Sequence, residues 1–160
     1  MAHPSNNPLD VLHYPQVDDG YCLPACVQMV LAYLGLPSTQ DRLARELDVR
    51  PPLGAPASNV IRLRSDVLDV TFTSGSLNDL RARLTQGHPP IVFVQAGEFP
   101  HWQGHVAQHA VVVVGMDEQA VQVLDPAACA SPVSVPIGDF ILAWSELDYI
   151  YALLVRSKRR

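Results

Sequence analysis

Gln16 to Gly35 reads QVDDGYCLPACVQMVLAYLG, and this stretch sets the frame for the rest of the chain. Pro24 suits the first turn of a helix, and Gly35 suits the position just past its end. Between them Ala25, Cys26, Met29, Val30, Tyr33 and Leu34 recur at helical spacing, so a largely buried helix is predicted from Pro24 to Leu34. Cys22 stands just ahead of that helix, and Gln16 stands six residues before Cys22.

Working outward, Ser38-Thr-Gln-Asp41 has the form of a capping box and predicts a second helix to about Leu47. Pro51 to Pro56 is rich in breakers, and a short helix is predicted over 57–64. Val67 to Thr73 alternates like a strand. Ser76-Leu-Asn-Asp79 opens a further helix that Gly87 ends. The second half is β-rich: Ile91 to Gln95, Ala110 to Val114, Ala120 to Leu124 and Tyr149 to Val155 are apolar runs bounded by Gly, Pro or Asp. A short helical piece, Asp139 to Trp144, precedes the last of them. Helices first and antiparallel strands afterwards predict an α+β domain, with helices packed to one side of a mainly antiparallel sheet.

A chain of 160 residues is expected to be one domain, residues 1–160, with an extended arm over 1–13 and a basic tail over 156–160. The apolar fraction of 48% and charged fraction of 17% are those of a globular protein. A net charge of -5 gives no case for nucleic acid as a partner. The N-terminus MAHPSNNPLD lacks the apolar core of a secretory signal. No apolar run approaches the roughly 18 to 20 residues needed to cross a bilayer, so no membrane insertion is expected. Three cysteines, two of them only four residues apart, do not make a disulfide scaffold, and a cytoplasmic protein is expected.

Four residues bear chemistry if they meet. A thiol before a helix N-terminus feels unpaired N–H groups and the helix dipole, both of which favour the thiolate. Cys22 is so placed; Cys26, one turn further in, reads as a small buried hydrophobe. His109 opens the run HAVVVVG, and a strand end is a rigid mount for a general base, though a solvated His at a sheet edge would look the same. A hairpin through Met116 to Gln119 would return Asp125 to the side of His109, where a carboxylate fixes the imidazole tautomer. Asp125-Pro126 alone reads equally well as a strand-terminating turn. Gln16 can supply an amide N–H which, with the Cys22 backbone N–H, would hold an oxyanion.

The segments YCLPACVQMVLAYLG and HAVVVVGMDEQAVQVLDPA resemble cysteine peptidase family thirty-nine, the bacteriocin-leader-processing branch of the papain-like superfamily. The resemblance runs from about Tyr14 to Leu154. It implies a papain-like fold and a thiol peptidase, with Cys22 as nucleophile, His109 as base, Asp125 as orienting acid and Gln16 as oxyanion residue. It implies a peptide or protein substrate and no cofactor. Tyr21 and Leu23 stand where the family has Asp and Gly beside the nucleophile. No exporter transmembrane region or ATPase is present in these residues, so a stand-alone domain is expected.

Other readings remain open. His101, His105 and His109 are spaced by four, as metal ligands on one helix can be, but Gly104 and Phe99-Pro100 break such a helix. No metal is therefore assigned, and His101, Trp102 and His105 are expected in a loop beside the site. A relative that binds peptide without cutting it would keep the same residues. So would an acyl transferase that passes the thioester to an amine, as in ligation or cyclisation.

Overall fold

The computed structural model describes residues 7–158, so part of the expected arm and the last two residues of the expected tail lie outside the described residues. Helix α1 spans Cys22–Tyr33, starting two residues earlier than the sequence predicts. The Tyr21 carbonyl accepts the first helical bond, from Ala25 N–H at 3.0 Å. Pro24 therefore sits third in the helix, within the turn whose N–H groups have no helical partner in any case. The helix closes as expected: Gly35 has φ +76°, its N–H donates to Ala32, and Leu36 N–H reaches back to Leu31 at 2.8 Å. This paired closure needs a left-handed residue, which glycine adopts without a Cβ penalty.

Helix α2 spans Gln40–Glu46 and is capped by Thr39, one residue later than the Ser38 the sequence pattern indicates. Thr39 is extended, and its hydroxyl accepts from Arg42 N–H at 3.2 Å. The segment Ala57–Leu63 is a 3-10 helix. Strand β1 covers Leu68–Ser74. Helix α3 covers Leu77–Thr85 behind a full capping box of Ser76 and Asp79.

The remaining elements are β2 (Ile91–Gln95), β3 (Gln108–Met116), β4 (Ala120–Leu124), β5 (Val133–Pro136), α4 (Ile137–Ser145) and β6 (Ile150–Arg156). β6 starts after Tyr149 because Asp148 and Tyr149 both have positive φ. It also takes in Arg156, the first residue expected in the tail. β5 is not predicted by the sequence pattern: four residues ending in proline make a weak strand signal. It forms as an edge strand, pairing Val133 with Val123 and Pro136 with Ala120.

The six strands form one sheet in the order β1-β6-β2-β3-β4-β5, with antiparallel neighbours throughout. β3 lies centrally and its side chains alternate between two cores. Ala110, Val112 and Val114 face the core built with α1 and α2, whereas Val111 and Val113 face a second core containing Phe99, Phe140 and Trp144. The N-terminal helices pack on one face, as expected. α3 and α4 add residues to the core on the other face, so helices are not confined to one side. A strand buried on both faces reads as an unbroken apolar run, which is what AVVVV is. Among the described residues no helix is long and apolar enough to cross a membrane.

Trp144 anchors the second core. It is fully buried, packs 5.8 Å from the Phe140 ring, and donates its indole N–H to the Ile150 carbonyl at 2.8 Å. Trp144→Ala is expected to cost about 3 to 5 kcal/mol, read as a lower urea midpoint.

Candidate active site

The three chemically central side chains come from three elements. Cys22 is the first residue of α1. No side chain caps that helix and no acidic residue lies in its first turn, so its free N–H groups and dipole favour a negative charge there. His109 is the second residue of β3, opposite Val94 of β2. Asp125 directly follows β4. The β3–β4 hairpin turns at Asp117, whose carboxylate accepts from Gln119 and Ala120 N–H at 2.8 Å each. An irregularity in the pairing between Val113 and Gly115 shifts the register. The result puts His109 Nε2 2.7 Å from Asp125 Oδ1.

Asp125 is fully buried and its carboxylate is surrounded by donors. Oδ1 receives His109 Nε2 at 2.7 Å and Ala127 N–H at 2.8 Å. Oδ2 receives His101 Nε2 at 2.7 Å and the Trp102 indole N–H at 2.8 Å. Burial by itself would raise its pKa. The hydrogen bond and charge of His109, with the bonds from Trp102 and His101, outweigh burial and hold it well below the usual carboxylate range. An ionised carboxylate only accepts, so His101 and His109 must both carry hydrogen on Nε2.

That leaves His109 Nδ1 for Cys22. Burial would lower the His109 pKa, but the hydrogen bonds to Asp125 and Cys22 and their charges raise it to about 9. Burial would raise the Cys22 pKa. The hydrogen bond to His109 and its charge, with backbone N–H groups of Ala110 and Leu23, bring it below the ordinary thiol value. Both shifts favour the thiolate and imidazolium form of the pair. Cys26 contrasts with this: it is buried, its S–H points to the Ala110 carbonyl at 3.3 Å, and burial holds its pKa well above the thiol range.

Gln16 shares the cleft with Cys22 and His109, but it is not joined to them by a hydrogen bond. Its backbone N–H donates to the Pro126 carbonyl at 2.8 Å. Its Nε2 donates to the Asp18 carbonyl at 3.1 Å, and its Oε1 is buried without a partner. Gly20 shapes the adjacent wall. It has φ +81°, and a Cβ there would lie 2.8 Å from Gly54 N and Pro52 O. Only glycine allows this loop to meet the Pro51–Gly54 loop so closely. Leu53 stands at the tip of that second loop, 91% exposed.

The β2–β3 connection lies beside the site, as expected of a loop there, and His101 and Trp102 of that loop both donate to Asp125. Trp102 further covers the His109 ring, with centroids 4.8 Å apart, and His101 stacks on Phe99 at 5.7 Å. The signal was present in topology: a connection that returns to the start of β3 must pass His109. The arm adds His13, whose Nε2 lies 2.8 Å from the Asp125 carbonyl; no sequence pattern marks it. The helix that would align three histidines does not form, since Gln103 and Gly104 have positive φ and His109 lies in a strand. A larger groove of about 1050 Å³ lies near α3 and the β3–β4 turn and contains none of these residues.

The model of the Peptidase_C39 like family matches residues 8–151. The chain belongs to that family. Solved structures agree on the fold. A C39-like protein from Bacillus anthracis is 18% identical, with a TM-score of 0.76 over 94% of this chain and 96% of that one. The peptidase domain of Streptococcus ComA, a bi-functional ABC transporter involved in a quorum sensing pathway, is 19% identical, with a TM-score of 0.74 over 91% and 98%. A double glycine motif protease from an AMS/PCAT transporter, in complex with the leader peptide, is 19% identical, with a TM-score of 0.71 over 96% and 96%. No curated protein matches the sequence.

Within this C39-like fold the charges predict reactivity. Brief iodoacetamide treatment at pH 7 should label Cys22 well before Cys26, read by peptide mass spectrometry. The sign of the His109 effect also follows. A raised pKa stabilises the fold fully below about 6.5, and that stabilisation is lost as pH rises through about 9. The urea-midpoint difference between the native chain and His109→Gln should narrow across that window.

Proposed function

We propose that this chain is a cysteine peptidase working through a Cys22–His109–Asp125 triad with Gln16 in the oxyanion hole. The observation that carries the reading is the unbroken chain of interactions from the Cys22 sulfur through His109 to the buried Asp125 carboxylate. The Cys22 thiolate attacks the scissile carbonyl carbon, and the carbonyl oxygen takes the negative charge. The Cys22 backbone N–H and an N–H of the Gln16 amide stabilise that oxygen. The tetrahedral species collapses as His109 gives its proton to the leaving amine, which leaves a thioester on Cys22. Water, deprotonated by His109, then hydrolyses the thioester and regenerates the pair. Asp125 stays ionised and keeps the imidazole in the required tautomer throughout.

The substrate proposed is a peptide, as the leader-peptide complex of a neighbouring fold supports. The cleft, about 480 Å³, has walls of Leu23, Phe93, Leu53 and Leu147 beside Cys22. Such walls favour an apolar side chain over a charged one, because burying an unpaired charge is costly. A reducing compartment such as the cytoplasm suits a nucleophile that must stay a thiol, and the three cysteines are free.

A peptide library incubated with the native chain and with Cys22→Ala tests this directly. Cleavage should require Cys22 and should favour bulky apolar residues near the cut. Binding without cleavage would point to a non-catalytic receptor, and products joined to an amine would point to acyl transfer. Gln16→Ala should lower kcat by on the order of 10² to 10³ with little change in KM. A normal kcat would assign the oxyanion hole to other groups.

A further inference from the structure

Among the described residues three polar side chains are buried: His109, Asp125 and Gln40. The first two belong to the proposed triad. Gln40 does not face the cleft, so its burial calls for a separate account. A buried amide is costly unless it is hydrogen-bonded, and an apolar residue at the start of α2 would pack there at less cost.

Its hydrogen bonds supply that account. Gln40 Oε1 accepts from Val17 N–H at 3.0 Å. Gln40 Nε2 donates to the Pro15 carbonyl at 2.8 Å and to Gln28 Oε1 on α1 at 2.9 Å. The side-chain amide thus pairs with the carbonyl before Gln16 and the N–H after it, much as a neighbouring strand would. Gln16 N–H itself goes to Pro126, beside Asp125, at 2.8 Å. The backbone of Gln16 is held on one side by Gln40 and on the other by the residue following the orienting acid. A loop residue otherwise free to turn is thereby given a fixed position relative to Cys22 and Asp125.

We infer that Gln40 is a positioning residue for catalysis, setting Gln16 in the oxyanion hole through its bonds to Pro15 and Val17. This rests on the proposed role of Gln16. Gln40 touches neither substrate nor the reacting atoms, and it acts only through the backbone it holds. The physical consequence is selective. Loss of the clamp weakens stabilisation of the tetrahedral oxygen and leaves the Cys22–His109–Asp125 pairing intact, because none of those three groups bonds to Gln40.

The test uses Gln40→Leu, which removes the bonds to Pro15 and Val17 together with that to Gln28, and Gln40→Glu, which keeps the acceptor for Val17 N–H and loses the donors. Each is made alone and in the Gln16→Ala background. The expected result is a fall in kcat of about tenfold or more for Gln40→Leu, bounded by the loss of a whole oxyanion donor. KM and the iodoacetamide rate of Cys22 should be unchanged, since alkylation builds no oxyanion. In the Gln16→Ala background Gln40→Leu should cause no further fall. An equal fall in both backgrounds, or a parallel fall in Cys22 alkylation, would overturn the inference, as would normal kcat for Gln40→Leu when Gln16→Ala is impaired. Normal kcat for Gln16→Ala instead removes the reading of Gln16 on which the inference rests, and the inference falls with it. If Gln40→Leu does not fold, Gln40→Glu carries the same comparison. If no peptide is cleaved, the readout is a tripeptide aldehyde ending in leucinal, which forms a tetrahedral adduct with a cysteine thiolate and presents an apolar side chain to the cleft. Its affinity should weaken in Gln40→Leu and in Gln16→Ala but no further in the double variant; unchanged affinity in Gln40→Leu with weakened affinity in Gln16→Ala would overturn the inference.

Discussion

A fully buried carboxylate is the constraint around which the site is organised. Asp125 has no water to neutralise it, and an unpartnered charge in such a place would cost several kcal/mol. It is stable as an anion because four donors converge on its two oxygens. Those donors come from β3, from the β2–β3 connection and from the turn after β4. Each of these segments is held where it is by the same group. The carboxylate therefore fixes the geometry of the site as well as the tautomer of His109.

The sheet makes that convergence possible. β3 is central and buried on both faces, so His109 sits at the end of a strand that cannot shift register without exposing valines to water. The hairpin to β4 then determines where the chain emerges, and Asp125 emerges beside His109. α1 packs against the same end of β3, and its first residue is Cys22. One central strand thus registers three separate groups against each other. The second core, around Phe140 and Trp144, supports β3 from behind. Phe99 belongs to it and is the ring on which His101 stacks.

The arm is less regular and is held differently. It pairs through single contacts: Leu9 to Val114, Gln16 to Pro126, and Gln40 across Pro15 and Val17. Side chains do there what a ladder does in the sheet. The segment reaches the edge of the cleft at Gln16.

Much of the fold was legible from periodicity and punctuation. The unbroken apolar run of β3, the capping box before α3 and the glycine after α1 are local signals, each with a local physical cause. The placement of Cys22 at a helix start, of His109 at the start of a strand and of Asp125 beside it after a hairpin was legible too. What the chain alone did not reveal are contacts between segments distant in sequence. Thr39 rather than Ser38 caps α2, since the cap depends on the backbone direction of the entering loop. β5 forms because β4 offers an unpaired edge, which four residues ending in proline cannot advertise. His101 and Trp102 on Asp125, and Gln40 on the two neighbours of Gln16, join residues that only the folded topology brings within 3 Å of each other. Hydrogen bonds at that range depend on the relative placement of whole elements, and no spacing rule within one segment encodes it.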